Sequence, residues 1–445
     1  MSLGSFLTSL GAVAVVLGVM ILVHEFGHYA AAKFFGVRVE QFALGFGKRL
    51  FGFRKGETDY RVNLLPLGGY VKMSGENPLD TPTGDPREFL SHPRWHRFII
   101  AIAGPAMNIL LAIGLLTGIY MVRYEHAAYM DQPAVVGWVQ DNSPAQKAGI
   151  QAGDRIVRID NLLNPTWEDA LYKILLSPNQ PLDIAVERGS QVLTKRVVPE
   201  KVGKDEVGDA GLEPEQVINI SAVEAGMPAA KAGIEPGDEL VSVGDTPIHS
   251  AQGLIRRLQD NGAKPIEVRV LREGQERAFT VTPVLDKERG DGAYRIGVLP
   301  GSRIHVDKLP FRQALLRSLQ ENKRNSLLVF ELVQKMIQRK VSMRQMSGPI
   351  GIAQASGEAV RQKGWTPILT LMAMISLQLG LFNLFPIPIL DGGVILLLIL
   401  EGLMRRDISL TVKERIYKAA FVFLVLFAVL VIYNDLTKAI PALGG

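Results

Sequence analysis

The sequence predicts a polytopic α-helical membrane protein with four transmembrane segments, two small α+β domains inserted between the second and third, and a membrane-associated β-hairpin. Three observations predict it. The 445-residue chain is too long for one ordinary domain. It joins 47% hydrophobic to 21% charged residues, and the apolar residues gather into a few long runs. The stretch between the second and third runs repeats itself.

Four runs meet the roughly 20 apolar residues that a crossing requires. They lie at about 6–32, at 98–122, from Pro367 through LMAMISLQLGLFNLF, and at 416–434. A further apolar piece from Val394 to Met404 is too short for a fifth crossing, so it reads as the second half of a broken third helix. The first run has no Lys or Arg before Lys33, so it lacks the basic start of a cleaved signal peptide and reads as a retained span. Lys and Arg set the expected orientation. Arg38, Lys48, Arg49, Arg54, Lys55, Arg61, Lys72, Arg87 and Arg94 separate spans one and two; Arg405, Arg406, Lys413 and Arg415 separate three and four. Both loops are expected in the cytoplasm, with 123–365 and both termini outside. The basic stretch 308–344 then falls outside too, where long translocated segments are largely exempt from the rule.

The net charge of +5 does not point to nucleic acid, because the basic residues flank apolar spans and are not interleaved with aromatics. The absence of cysteine excludes disulfides and thiolate metal sites.

The repeat lies in the outer segment. SPAQKAGIQAGDRIVRID at 143–160 matches MPAAKAGIEPGDELVSVGD at 227–245, and the same offset aligns PLDIAVERGSQVLTKRVVP at 181–199 with PIEVRVLREGQERAFTVTP at 265–283. Each unit reads as a short helix, a Gly-Asp turn, a strand, a helix and two alternating strands. On these residues the units resemble PDZ domains of the bacterial, permuted type, which implies binding of an extended peptide at a sheet edge. Two structural domains without ligand are the alternative. Gly211-Leu-Glu-Pro214 and Gly297-Val-Leu-Pro300 recur near the unit boundaries as candidate carboxylate-binding loops, with no sign of which unit each serves. Beyond the repeats, Phe311, Leu315, Leu319, Leu327, Phe330, Val333 and Ile337 fall at helical spacing over 310–340. That pattern fits a helix on the membrane surface or one packed on a domain.

The chemistry is concentrated in His24-Glu25-Phe26-Gly27-His28. On a helix the two histidines share a face one turn apart, so both can reach one zinc with Glu25 beside them. The motif lies inside the first apolar run. A charged residue at mid-bilayer costs about 2.5–3.5 kcal/mol, and a bound dication would offset that cost for the whole group. Zinc requires a third protein ligand. His92, His96, His126, His249 and His305 all lie outside the apolar spans, whereas Asp391 is embedded in the third, in NLFPIPILDGG at 383–393. A proton-relay carboxylate is the alternative reading of Asp391. Spans one and three run in the same direction with His24, His28 and Asp391 late in each, so all three are expected at similar depth towards the cytoplasmic side.

With HEFGH at 24–28, GFG at 45–47, LPLGGYVKM at 65–73, GPAMN at 104–108, SGPIGIA at 347–353 and NLFPIPILDGG at 383–393, nearly the whole chain resembles the site-2 protease family of intramembrane metalloproteases. The resemblance implies zinc on His24, His28 and Asp391, Glu25 as catalytic base, and Asn108 and Asn383 as contacts to the substrate backbone. It also implies that 59–73 is a membrane-entering β-loop pairing with substrate, through Tyr60, Val62, Leu64, Gly68, Gly69 and Tyr70. By itself, the alternation over Tyr60–Leu65 reads as a strand and LGGY as a turn. Implied partners are single-span membrane substrates, including anti-sigma factors and remnant signal peptides, a peptide or trimmed substrate end at the PDZ domains, and the lipid bilayer of a bacterial inner membrane. The expected domains are 1–122, 127–215, 216–306, 307–364 and 365–445. A membrane-bound metallopeptidase acting on soluble loops, or a non-proteolytic PDZ scaffold, are the competing functions.

Overall fold

The computed structural model describes residues 3–77, 83–203, 206–285, 292–341, 348–362 and 364–439; Ser347, at the head of SGPIGIA, lies outside them. The chain forms two compact units, Met1–Tyr124 with Asp307–Gln334 and Met346–Gly445, and Glu125–Val306 with Lys335–Gln345.

The first unit contains helices α1 (Leu3–Phe34), α2 (Arg94–Val122), α3 (Phe311–Ile337), α4 (Pro349–Arg361), α5 (Thr366–Asn383), α6 (Asp391–Met404) and α7 (Leu410–Ala439), and strands β1 (Val39–Lys55) and β2 (Thr58–Met73). Four of these helices, α1, α2, α5 and α7, are long and apolar enough to cross a membrane. Helix α7 makes the case most directly, since Phe421, Phe423, Leu426 and Val429 are each more than half exposed. A helix apolar on every side and uncovered by protein is suited to lipid. It is tied to the rest by Asp435, whose buried carboxylate accepts the N–H groups of Gly348, Ile350 and Gly351 at 2.9, 3.0 and 3.1 Å. These are orphan donors at the start of α4, so the carboxylate caps that helix.

Helix α3 turns its small residues Ala314 and Ser318 inward and leaves Phe311, Leu319, Leu327 and Phe330 exposed. Ser318 Oγ donates to the Ile113 carbonyl of α2 at 2.9 Å. The expected apolar stripe is thus partly exposed, while Leu315 and Val333 are half-buried and the Phe330 ring meets Phe385.

Strands β1 and β2 form a folded sheet. Positive φ at Gly45, Gly47 and Gly68 bends both strands, so Ala43 pairs with Tyr70 on one side and Arg61 on the other, while Phe53 pairs with Tyr60. The expected reversal at LGGY is the bend at Gly68, and GFG is the matching bend in β1.

In the second unit each repeat has its own core. One is built on Val136, Ile156, Trp167, Ile184 and Val197, the other on Ile220, Leu240, Leu254, Val268 and Val281. Strands Arg155–Ile159, Leu182–Arg188 and Gln191–Val197 recur as Glu239–Val243, Ile266–Arg272 and Gln275–Val281. Leu212–Pro214 pairs with Val136–Val139, and Val298–Ser302 with Ile218–Val223. Each Gly-containing loop therefore serves the module that precedes it.

The Gly-Asp turn has the same explanation twice. Asp154, 1% exposed, accepts Arg188 Nε at 2.7 Å and its terminal nitrogen at 2.8 Å. Asp238, also 1% exposed, accepts Arg272 at 2.6 and 2.7 Å. Burial pushes both carboxyls up, but the Arg188 bonds and the Gln151 N–H, and the Arg272 bonds and the Glu235 N–H, outweigh it and hold both below the usual carboxylate range.

Candidate metal centre

Helix α1 delivers His24 and His28 one turn apart, both 9% exposed. It lies so close to α2 that a Cβ at Gly27 would collide with the Ala103 carbonyl, and one at Gly104 with the His28 ring. Small residues at both positions are what the approach demands. The third element comes from the break between α5 and α6. Pro386 and Pro388 cannot continue a helix, and Ile389 adopts φ 92°, a left-handed conformation that strains a β-branched residue. The segment folds back so tightly that a Cβ at Gly392 would meet the Leu384 and Phe385 carbonyls, and one at Gly393 the Ile387 carbonyl. This turn brings Asn383 and Asp391 to the same place from opposite ends.

The result is a convergence of acceptors. Asp391 Oδ2 lies 3.2 Å from His24 Nε2 and Oδ1 lies 3.4 Å from His28 Nε2, and the two Nε2 atoms are 3.2 Å apart. His28 Nδ1 donates to the Ile100 carbonyl at 2.8 Å. A carbonyl only accepts, so a neutral His28 carries its proton on Nδ1 and presents a bare lone pair at Nε2. All three donor groups lie within 4.8 Å of one another. Lone pairs gathered this closely repel unless a cation sits among them, and two imidazoles with one carboxylate, without thiolate, suit zinc. The residues present fit the metal.

His24 is braced as well. The Asn108 amide nitrogen is 3.4 Å from His24 Nδ1, while the amide oxygen has no hydrogen-bond partner among the described residues. Asn108 is 1% exposed. The two ends of an amide have the same shape, and turning it places the oxygen where Nδ1–H can donate. His24 then takes the same tautomer as His28. Asn383 Nδ2 lies 3.4 Å from His24 Nε2.

The chain belongs to peptidase family M50. The family profile matches residues 12–427. The regulator of sigma-E protease RseP of Salmonella typhimurium is 32% identical over 98% of this chain and 99% of its own. The regulator of sigma E protease of Haemophilus influenzae is 30% identical over 98% and 100%, and protease RseP of Yersinia pestis 32% over 98% and 99%.

In this M50 chain the donors open into a cavity of about 550 Å³, also lined by Glu25, Asn108, Asn383 and the β2 residues Gly68, Gly69 and Tyr70. Gly69 lies against Glu25, so that a Cβ there would be 3.1 Å from Glu25 Cγ. The other expected β-loop residues are not among those lining the cavity. Tyr60 is held by a 2.5 Å hydrogen bond to Tyr29, Val62 pairs with Leu44 and Phe51, and Leu64 is 56% exposed. The structure adds Arg97, Glu401 and Lys413 to the cavity wall. No sequence pattern singles out Arg97 or the Ile100 carbonyl.

Proposed function

We propose that this chain is an intramembrane zinc metalloprotease of the site-2 type, cleaving transmembrane segments of single-span proteins. The observation that carries the proposal is three converging metal donors lodged between helices apolar enough to cross a bilayer, in a chain of peptidase family M50. His24, His28 and Asp391 would hold the zinc. When bound, the ion supplies Lewis-acid activation of water and of the scissile carbonyl. Glu25 takes the proton of the attacking water and passes it to the leaving nitrogen. Asn383 donates to the substrate backbone beside the metal. Asn108 fixes the His24 ring and turns its remaining amide group towards the substrate.

A transmembrane helix hides its carbonyls in internal hydrogen bonds, so the substrate must be unwound to be cut. The β2 run Gly68–Tyr70 lines the cavity beside Glu25 and offers backbone groups to an extended segment, with Tyr60, Val62 and Leu64 supporting the sheet behind it. The repeats act as PDZ domains. In the second, a groove of about 590 Å³ runs between Leu254, Leu258 and strand residues Val298 and Leu299, with Gly297 at its end, and that strand is at the sheet edge. It would take a peptide or trimmed substrate end. The names of several relatives tie those proteins to regulation of sigma E; by that likeness this chain would be an inner-membrane protein acting on an anti-sigma factor, with the repeats outside and the metal centre towards the cytoplasm.

The test is Glu25→Gln in full-length protein against a doubly tagged single-span substrate. The variant should retain zinc and lose cleavage. Cleavage at the parent rate would remove Glu25 as the base, and cuts mapped outside the membrane segment would point to a peptidase of soluble loops.

A further inference from the structure

We infer that Arg97 anchors a carboxylate-binding subsite at one end of the metal-centre cavity, an inference that rests on the proteolytic reading of that site. Arg97 stands in the first turn of α2, three residues before Ile100, whose carbonyl holds His28. Three helical residues advance about 4.5 Å, so it stands about one turn along α2 from the carbonyl that holds His28. It lines the same cavity as the metal donors and is 9% exposed. Yet no hydrogen bond or ion pair reaches its guanidinium among the described residues, and Nε is a buried donor without a partner.

The acids and bases around it are otherwise engaged. Glu401, 1% exposed, accepts Lys413 Nζ at 2.7 Å and the Ile408 N–H at 3.1 Å. Arg94, one turn away, pairs with Asp407 at 2.7 Å. Glu401 and Asp407 act on Arg97 through space, but each already holds another cation, so Arg94, Arg97 and Lys413 outnumber the two carboxylates by one. A mostly buried guanidinium with no protein acceptor for its Nε is tolerable where an anion visits, and its planar fork suits a carboxylate.

Peptide hydrolysis puts two carboxylates into this cavity. One is an Asp or Glu side chain of the substrate near the cut. The other is the new C-terminal carboxylate, formed when the water oxygen joins the acyl carbon, the C–N bond breaks and the proton goes to the leaving nitrogen. Both present the same chemistry to Arg97.

The experiment uses full-length, zinc-loaded protein carrying Glu25→Gln, so that ligands bind without being cut. Labelled apolar peptides ending in a free carboxylate or an amide form one arm. Amidated peptides carrying Glu or Gln at successive internal positions form the other. In at least one arm the acid should bind more tightly than its neutral counterpart by about tenfold or more. Adding Arg97→Gln should bring that ratio close to one, and Arg97→Lys should keep part of it. Preference in the first arm alone assigns the product terminus as ligand, and in the second alone the substrate side chain. No preference in either arm overturns the subsite. So does a preference that survives Arg97→Gln, which would place the carboxylate on the metal, or an equal loss of acid and amide binding, which would make Arg97 structural. The ratio is read without turnover, so a parent protein that cleaves no single-span substrate would sink the proteolytic reading separately.

Discussion

Replacing Gly104 by Ala should strip the centre of its metal, through one methyl group. The added carbon would lie 2.6 Å from His28 Cε1 and 2.8 Å from Cδ2, and nearer still to Nε2. Ordinary carbon contacts sit at about 3.5–4.0 Å, so the ring must retreat by about 1 Å. It has little freedom to do so. Nδ1 is tied to the Ile100 carbonyl at 2.8 Å, and Nε2 is the atom that must face Asp391. Overpacking of this kind costs about 1–3 kcal/mol. A displaced ligand weakens metal binding by about 10–100-fold, and a misplacement of about 1 Å costs about 100-fold in rate even when metal is supplied. The measurement is zinc occupancy after dialysis against a series of buffered free-zinc concentrations, with cleavage of a tagged single-span substrate at saturating zinc. Gly114→Ala on the same helix is the control, because nothing lies within 4 Å of its Cβ position. If Gly104→Ala bound zinc as tightly as the parent and cleaved as fast, the contact between α2 and His28 would not govern the centre.

Three further expectations follow from the structure. Asn108→Leu should weaken zinc binding by about 10–100-fold by removing the acceptor for His24 Nδ1–H, while Asn108→Asp, which keeps an oxygen there, should bind more like the parent; equilibrium dialysis distinguishes them, and equal behaviour of the two would dismiss the tautomer argument. In the second repeat, Arg272→Met leaves the Asp238 carboxylate buried and unpaired and should destabilise that module by about 3 kcal/mol, read as lost hydrogen-exchange protection in the full chain while the first repeat is unaffected. The pH dependence has a definite sign. Asp154 and Asp238 have folded pKa values below their unfolded value of about 3.9. Their stabilisation is complete above that value and is lost as pH falls through the lower, folded one. Protection of both repeats should drop in acid, whereas in Arg272→Met protonation of the unpaired Asp238 carboxyl should recover part of the second repeat's loss.

Local chemistry was legible in the sequence. HEFGH places two imidazoles on one helical face without help from the rest of the chain, because the α-helical repeat alone brings residues four apart together. Hydropathy marked the four apolar helices, since lipid selects on composition over a whole span. The repeat offset announced two similar modules, and the Gly-Asp turn marked where each buries its carboxylate. What sequence could not supply is anything that depends on which backbone atom or distant side chain arrives at a point in space. The Ile100 carbonyl that sets the His28 tautomer, the Asn108 amide behind His24 and the bend that returns Gly68–Tyr70 to Glu25 are tertiary facts. Strand β1 was not apparent because its residues Leu50, Phe51 and Phe53 are exposed, so no buried face imposes a two-residue period on it. Only the fold brings Arg97 to the cavity wall. The sequence by itself determined the donor types and the apolar scaffold, because both are set within a few turns of chain. Tertiary structure decided tautomer, proximity and unmatched charge, because those depend on groups brought together across as many as 367 positions, from His24 to Asp391.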